Sequence, residues 1–259
     1  GGVSPTIMVP GNWSKADLRF QAENVASQRL HNCGHNCIAT QALILSSDWA
    51  QKDAFLAELR DVLDTLPARA PWYPGSDRKL GLAEQSYPAA EHHGGRLLIE
   101  VNEKTSKDLF TTEYFSPVLG HTAIPGTGAE FLRAAVKFAN EQLDGTLGAS
   151  LIVDPADRDA MGAAFDEAIA ELRYGAIGIN VWSAIAFLHP NAVWGAFPGH
   201  TLQDVKSGIG VVHNGFLIAD AERTVLTGPF RPFPRSIVHG ELSLFPKPPW
   251  FVTARSALD

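Results

Sequence analysis

The stretch SLIVDPADRDAMGAAFDEAIAELRYGAIGINVW, residues 150–182, decides the fold class of this chain. It opens with the buried-strand sequence SLIVD (150–154), continues with a helical pattern over 157–173 and closes with a second strand-like run, AIGINVW (176–182). A strand, a helix and a second strand in this order are typical of two parallel strands joined by a helical crossover.

The same alternation runs through most of the chain. Ser14 is a candidate N-cap for a helix that continues through about Leu30. The other predicted elements are strands at 7–9, 42–45 and 96–101, helices at 48–66 and 128–143, and a loop at 67–75. We therefore predict an α/β fold, a mostly parallel sheet flanked by helices, over residues 1–215, followed by an irregular, proline-rich tail over 216–259.

Composition and charge exclude several classes of protein. The 21 basic residues among 259 are scattered and the formal net charge is −7, so no nucleic-acid-binding face is indicated. No apolar run approaches the ~20 residues that a membrane span needs. With two cysteines only four positions apart, a disulfide framework is not expected, and the reducing cytoplasm is the predicted compartment.

The stretch LHNCGHNC (30–37) alternates histidine and cysteine at every second position from residue 31 to residue 37. In an extended strand this spacing would spread the four side chains over about 20 Å, too far to surround one metal ion. No second cluster of ligands is evident, so we predict no metal site. Cys37 follows the turn-forming Gly34 and is either a nucleophile at an accessible turn or a small buried residue.

Two motifs together indicate a family. Asn32, Gly34 and Cys37 follow a helix, and the stretch TTEYFSPVLG (111–120) comes farther along the chain. In this order and at this separation they resemble the catalytic-cysteine and glutamate motifs of the aldehyde dehydrogenase superfamily. His35 stands where that family usually has glutamine.

Three further stretches extend the resemblance over about residues 1–215. GGVSPTIMV (1–9) resembles the sequence that contains and follows the two glycines of the family's Glu-Leu-Gly-Gly signature. YGAIGINVW (174–182) resembles a family strand that ends near an asparagine, here Asn180. WGAFPGHT (194–201) occupies the place of the family's Pro-Phe-Gly-Gly loop but matches it poorly.

The resemblance implies oxidation of an aldehyde to a carboxylic acid with NAD or NADP, through a thiohemiacetal and a thioester on cysteine. Cys37 matches the nucleophile. Glu113 matches the carboxylate that binds the ribose hydroxyls of the cofactor, and Phe115 matches the aromatic residue near the nicotinamide.

Three residues match positions that support the nucleophile and the developing oxyanion: Asn32, Gly34 and His35. The departure at His35 leaves two alternatives open. The imidazole would either donate a hydrogen bond as glutamine does, or act as a charged neighbour that tunes the thiol.

The resemblance also implies what the chain needs from elsewhere. The family's general-base glutamate and nearly all of its dinucleotide-binding domain precede the residues matched here. We therefore expect residues 1–259 to be the catalytic half, inactive alone, partnered by an N-terminal cofactor domain and assembled as a homo-oligomer. Within the tail, ERTVLT (222–227) would add a strand to a neighbouring subunit or pack on its own domain.

Substrate and reaction type stay open at this point. The resemblance implies a small-molecule aldehyde as substrate, and four aromatic residues could line a tunnel for an apolar one: Trp182, Phe187, Trp194 and Phe197. The alternatives are an aldehyde dehydrogenase that transfers the acyl group to coenzyme A, and a non-catalytic α/β binding module that keeps Cys37 as a relic.

Overall fold

The computed structural model describes residues 1–102, 104–105 and 107–254; the last residues of the predicted tail, 255–259, lie outside the described part. Within it the chain forms ten strands: β1 Ser4–Met8, β2 Thr40–Ser46, β3 Glu91–His92, β4 Leu97–Glu100, β5 Val118–Ile124, β6 Gly148–Ile152, β7 Ala176–Ile179, β8 Trp194–Gly195, β9 Val211–Val212 and β10 Thr224–Thr227.

Eight of these strands form one sheet in the order β10-β7-β6-β1-β2-β5-β4-β3. All neighbours in it are parallel except β3 and β4, which are antiparallel at one edge. The short strands β8 and β9 pair with each other in a separate antiparallel ribbon. The predicted α/β class with a mostly parallel sheet is confirmed.

The described part of the chain contains eight α-helices: α1 Lys15–Leu30, α2 Lys52–Thr65, α3 Ser76–Ser86, α4 Asp108–Thr111, α5 Gly128–Gln142, α6 Pro155–Met161, α7 Ala163–Glu171 and α8 Arg235–Val238. The helix predicted over 157–173 is divided in two, because Gly162 adopts a φ of +52°, which interrupts helical geometry. The helix predicted from residue 48 begins instead at Lys52. Helix α3 was not predicted; only two of its residues, Ser76 and Ala83, are buried, so it carries little apolar periodicity.

Helices cover both faces of the sheet, which explains why the strands are apolar on both sides. On β1, Ile7 packs with helices α5 and α7, whereas the next residue, Met8, packs with α1 and α2. Successive side chains of a strand point to opposite faces, so one short strand anchors two cores.

Helix α1 is buried along nearly its whole length. Ser14 is its N-cap, and Ser14 and Asp17 form a reciprocal capping box, as the position of Ser14 predicts. The apolar stripe expected on this helix is buried against the sheet and α2. The opposite side carries buried polar residues, and Gln28 accepts hydrogen bonds from Thr6 and Thr40 at 2.9 and 2.8 Å.

The tail contributes a strand to the sheet of its own chain. Strand β10 lies parallel to β7, with Val225 opposite Ile177, and forms the edge of the sheet. The boundary at residues 215/216 and the assembly into oligomers stay predictions. In the described residues, no helix is both long and apolar enough to cross a membrane.

Candidate functional site

The predicted site residues come together at the amino edge of the parallel sheet, where several strands begin. The loop with Cys37 precedes β2, the loop with Glu113 precedes β5, and Gly1 precedes β1. Gly1 lies so close to both that an added Cβ would be 2.3 Å from Glu113 Oε1 and 2.8 Å from the Cys37 carbonyl oxygen. Parallel strands therefore bring together residues separated by many positions in the sequence.

Cys37 lies in a tight turn in which the Ala39 N–H donates to the Asn36 carbonyl at 3.0 Å. The residue is exposed and its thiol is free, whereas Cys33 is buried. Partial burial of the thiol, together with the negative charge of Glu113, raises the pKa of Cys37 above its ordinary value. At neutral pH the sulfur is therefore accessible and largely protonated.

The turn before Cys37 depends on unusual backbone conformations. Asn32 and Cys33 have φ values of +54° and +55°, and Gly34 follows with a φ of +81°. A Cβ on Gly34 would meet the Ser116 carbonyl oxygen at 2.8 Å, so only glycine fits. The side chain of Asn32 stabilises the turn, because its amide donates to the His35 carbonyl at 3.1 Å.

His35 lies behind the turn and is buried. Its Nε2 is 3.0 Å from Ser76 Oγ, and its Nδ1 has no hydrogen-bond partner among the residues that the structure describes. Burial, and then the positive charge of Arg29, lower the pKa of His35. A neutral imidazole at physiological pH is thus favoured over a charged neighbour of the thiol.

Glu113 and Phe115 face the same region from the loop before β5. The backbone carbonyl of Glu113 accepts from Lys79 Nζ at 3.2 Å, while no hydrogen bond or ion pair engages its carboxylate in the described chain. Phe115 has a φ of +49°, and its ring centroid lies 4.9 Å from Tyr73 and 5.7 Å from His35. A half-buried carboxylate with free acceptors next to an aromatic ring suits a ligand that carries hydroxyl donors.

Arg29 connects the two loops and was not anticipated from the sequence. It is 2% exposed and donates to the carbonyls of Gly34, Ala39 and Thr40 at 3.1, 3.4 and 3.3 Å, and also to that of Ser116. Burial lowers its pKa to about 10, although the charge of Glu113 opposes this. Arg29 is thus a buried clamp between the loop of Cys37 and the loop of Glu113.

A signal for Arg29 was present in the sequence. It continues the helical spacing of the apolar stripe, seven residues after Ala22 and four after Val25, so it lies on the buried face of α1. A basic residue on such a face is expected to be paired or to bind backbone carbonyls.

A cavity of about 480 Å³ opens beside Cys37. Its polar lining residues besides Cys37 are His31, His35 and Asn36, and the rest of its lining is aromatic and aliphatic. Trp182, Phe187 and Trp194 line it, as predicted for the tunnel. Phe197 does not: it lies by a separate cavity, with the Arg223 guanidinium 4.9 Å from its ring centroid.

The alternating histidines and cysteines point in different directions. Cys33 Sγ lies 3.8 Å from the Ala70 carbonyl oxygen, away from the cavity that Cys37 adjoins. Within the described residues, no three His, Cys, Asp or Glu side chains are grouped so that they could hold a metal ion.

Several solved structures of dehydrogenases that act on aldehydes are similar in fold to this chain. The NADP-dependent glyceraldehyde-3-phosphate dehydrogenase of Bacillus halodurans, crystallised with NADP, aligns over 83% of this chain at 19% identity and a TM-score of 0.61. An NAD-dependent aldehyde dehydrogenase of Sinorhizobium meliloti aligns over 82% at 21% identity and a TM-score of 0.61. Lactaldehyde dehydrogenase of Escherichia coli aligns over 82% at 18% identity and a TM-score of 0.60.

The chain spans less than half the length of these enzymes, 43%, 42% and 44% respectively. No protein-family model and no curated relative matches the sequence. The chain therefore has the fold of one part of the aldehyde dehydrogenases, as the sequence motifs predicted.

Proposed function

We propose that this chain carries the cysteine-bearing half of an NAD(P)-dependent oxidation of an aldehyde to a carboxylic acid. The observation that carries the proposal is the meeting of an accessible thiol, an unengaged carboxylate and an apolar cavity at one edge of the sheet. Cys37 is the nucleophile, and Glu113 and Phe115 bind the cofactor.

The first step is addition of sulfur to the aldehyde. Cys37 loses its proton, the thiolate forms an S–C bond with the carbonyl carbon, and the C=O electron pair moves to oxygen. Because partial burial and Glu113 raise the pKa of this thiol, the step needs a base close to the sulfur. The resemblance implies a glutamate from outside residues 1–259 for this role.

The loop that holds Cys37 also shapes the surroundings of the new oxyanion. The backbone N–H of Cys37 is the donor implied by the resemblance. Asn32, Gly34 and Arg29 support it by fixing the turn, and a neutral His35 supports the loop through Ser76.

NAD(P), when bound, supplies the acceptor for the hydride that leaves the substrate carbon as the thioester forms. The carboxylate of Glu113 fits this group, because it is half-buried, accepts from no described side chain and lies beside Cys37. The ring of Phe115 lines the cavity beside Cys37. The rest of the dinucleotide would be bound by a domain outside residues 1–259.

The thioester is then cleaved by water, which releases the acid and returns the thiolate. Transfer of the acyl group to the thiol of coenzyme A is the alternative, because it uses the same thioester on Cys37. The free cysteines that this chemistry requires suit the reducing cytoplasm predicted from the cysteine content.

The test combines thiol labelling with turnover. We expect iodoacetamide at neutral pH to alkylate Cys37 well before Cys33, with no effect of a chelator, and peptide mapping reads out both sites. In a full-length protein that contains these residues, Cys37→Ser should lower aldehyde-dependent formation of NAD(P)H by about 10³-fold or more. Cys33→Ser is the matched control and should leave turnover near that of the unmodified protein.

Two outcomes would contradict the proposal. Equally slow labelling of both cysteines, with no turnover in the full-length protein, would favour a non-catalytic binding module. Steady formation of NAD(P)H by residues 1–259 alone would show that no outside cofactor domain or base is needed.

A further inference from the structure

A segment near the end of the described chain reaches back to the candidate site. Residues 247–253, here called the C-terminal strap, lie along helix α1. Lys247 Nζ is 2.7 Å from Glu23 Oε2, and Thr253 Oγ1 donates to the same carboxylate oxygen at 3.1 Å. Both ends of the strap are thereby fixed to one residue of the helix.

The middle of the strap is anchored as well. Phe251 is 1% exposed and its ring stacks on Phe20 at a centroid distance of 5.2 Å. The Val252 N–H donates to Ser27 Oγ at 3.0 Å. These contacts place the neighbouring Trp250 at the wall of the cavity, with its ring centroid 5.5 Å from that of Trp182.

Most of the cavity wall is apolar. Apart from its cysteine, histidine and asparagine residues, the wall consists of tryptophan, phenylalanine, leucine, isoleucine and alanine side chains, and no described Asp, Glu, Lys or Arg lines the cavity. Its volume of about 480 Å³ lies within the range of roughly 300–1,000 Å³ usual for small-molecule sites. A charged group would lose its hydration there without gaining a partner of opposite charge.

We infer that this cavity binds a neutral hydrocarbon group of the substrate, and that Trp250 is a specificity-determining residue because the strap makes it part of the wall. The inference rests on the proposed function only in naming the occupant as the side chain of an aldehyde. Binding of the hydrocarbon group itself is a property of the cavity and can be measured at Cys37 without cofactor or turnover.

An aromatic wall also attracts quaternary ammonium groups through cation–π interactions. The neutral occupant is favoured because Leu188, Ile185 and Ile38 share the wall and no carboxylate of the described chain lines it. A pair of reagents with the same shape and different charge separates the two occupants.

The experiment measures how fast substituted iodoacetamides alkylate Cys37, the sulfur displacing iodide in each case. The reagents carry a phenethyl, a 3,3-dimethylbutyl or a 2-(trimethylammonio)ethyl group on nitrogen, and each rate is divided by the rate with free glutathione. Relative to iodoacetamide, we expect enhancement of about tenfold or more for the phenethyl and dimethylbutyl reagents, the factor expected for burying such groups. The trimethylammonio reagent should show none.

Variants assign the effect to the strap. Trp250→Ala should reduce the enhancement by at least about threefold, because it opens the apolar wall. Lys247→Ala, which frees one end of the strap, should reduce it in the same direction while retaining the tryptophan. Phe216→Ala, an exposed aromatic residue that does not line the cavity, is the control and should leave the ratio unchanged.

The outcomes separate this inference from the proposed function. Equal normalised rates for all reagents would overturn the hydrocarbon site, even if the protein oxidises aldehydes. A preference for the trimethylammonio reagent would replace the neutral occupant by a cation. A clear preference for the apolar reagents without any turnover in the full-length protein would support the cavity and count against the oxidation.

Discussion

The two edges of the same parallel sheet are built differently. At the carboxyl edge, Asp154 caps helix α6, Ser14 and Asp17 cap helix α1, and Arg231 joins these helix starts through ion pairs. At the amino edge, residues with positive φ, a free thiol and an unengaged carboxylate lie close together, and the thiol-bearing Cys37 lines a cavity. The charged groups at one edge are paired with each other, and the other edge keeps reactive groups available.

A buried network of ion pairs lies at the carboxyl edge of the sheet. Arg231, 7% exposed, pairs with Asp154, with Asp17 at 3.6 Å and with Glu241 at 3.4 Å, and Arg235 also pairs with Asp17. Burial by itself would raise the pKa of Asp17, but its hydrogen bond with Ser14 and the two guanidinium groups hold that pKa below its ordinary value.

The comparison bears on where ligands bind in open α/β sheets. The carboxyl ends of the strands are the common location. In this chain residues 229–241 cover part of that edge, and the accessible thiol lies at the opposite edge. We therefore expect substitutions at the carboxyl edge to change stability and those at the amino edge to change thiol chemistry.

The largest expected effect on stability is at Arg231. Arg231→Met leaves buried carboxylates without their partner and should lower the free energy of unfolding by about 3–5 kcal/mol. Urea denaturation measures this loss. The exposed Arg133, changed to Met in the same way, is the control and should shift stability by less than about 0.5 kcal/mol.

The rate of Cys37 alkylation in folded Arg231→Met protein should stay unchanged. A fall in that rate at a temperature where the variant is fully folded would mean that the two edges are coupled. The acid sensitivity that Asp17 contributes should fall only slightly in this variant, because Ser14 and Arg235 lower the pKa of Asp17 more than Arg231 does. Because the folded pKa of Asp17 is below its ordinary value of 3.8, its contribution to stability is present above that value and disappears as the pH falls through the folded pKa.

Arg29 is a structural residue at the amino edge, so its substitution should affect both stability and thiol chemistry. Arg29→Met removes the guanidinium donor from the carbonyls of Gly34, Thr40 and Ser116, of which Ser116 still accepts from the Val118 N–H, and should cost about 2–3 kcal/mol of unfolding free energy. It should also change the rate of Cys37 alkylation, because it releases the loop that holds the sulfur. Thermal unfolding and labelling of the same samples measure both effects.

Arg19→Met, on the same helix but with a side chain 35% exposed, is the matched control for Arg29. Its ion pairs with Glu23, Glu58 and Asp61 should contribute no more than about 1 kcal/mol. If Arg29→Met lowered stability while Cys37 kept its alkylation rate, the clamp would have no part in positioning the thiol.

The smallest effect is expected at Glu113. Glu113→Gln removes a negative charge that raises the pKa of Cys37, so the pKa should fall and alkylation below that pKa should become roughly two- to fivefold faster. A pH profile of the labelling rate measures this shift. Turnover in the full-length protein should fall, because the cofactor would bind more weakly. Slower alkylation in this variant would mean that the charge of Glu113 does not raise the pKa of Cys37.

The sequence predicted the parts of the fold that follow from local periodicity. The stripe of helix α1 and the strand–helix–strand pattern of 150–182 are confirmed, because each strand and helix buries its own apolar residues. The break at Gly162 was missed, since a single glycine inside a helical pattern does not reveal its φ. The start of α2 was misplaced for a similar reason: no capping side chain marks it.

The site was predictable only as motifs. Cys37, Glu113 and Phe115 are recognised from short sequence patterns, and their meeting at one edge depends on sheet order. The burial of Arg29 follows from its place on the apolar stripe of helix α1, but its carbonyl partner Ser116 and the wall formed by Trp250 depend on contacts between distant segments, which no local pattern encodes. The same holds for Arg231, whose partners are spread over the chain.

The strap has a consequence for the order of events during synthesis. Ser27 and Val252 are bonded across 225 positions, and Gln21 and Phe230 across 209. At roughly 5–20 residues per second, helix α1 would leave the ribosome some 10–40 s before the residues that cover it. During that interval the cavity beside Cys37 lacks the part of its wall that Trp250 forms. The thiol is therefore exposed in the nascent chain before the cavity can discriminate between the molecules that react with it.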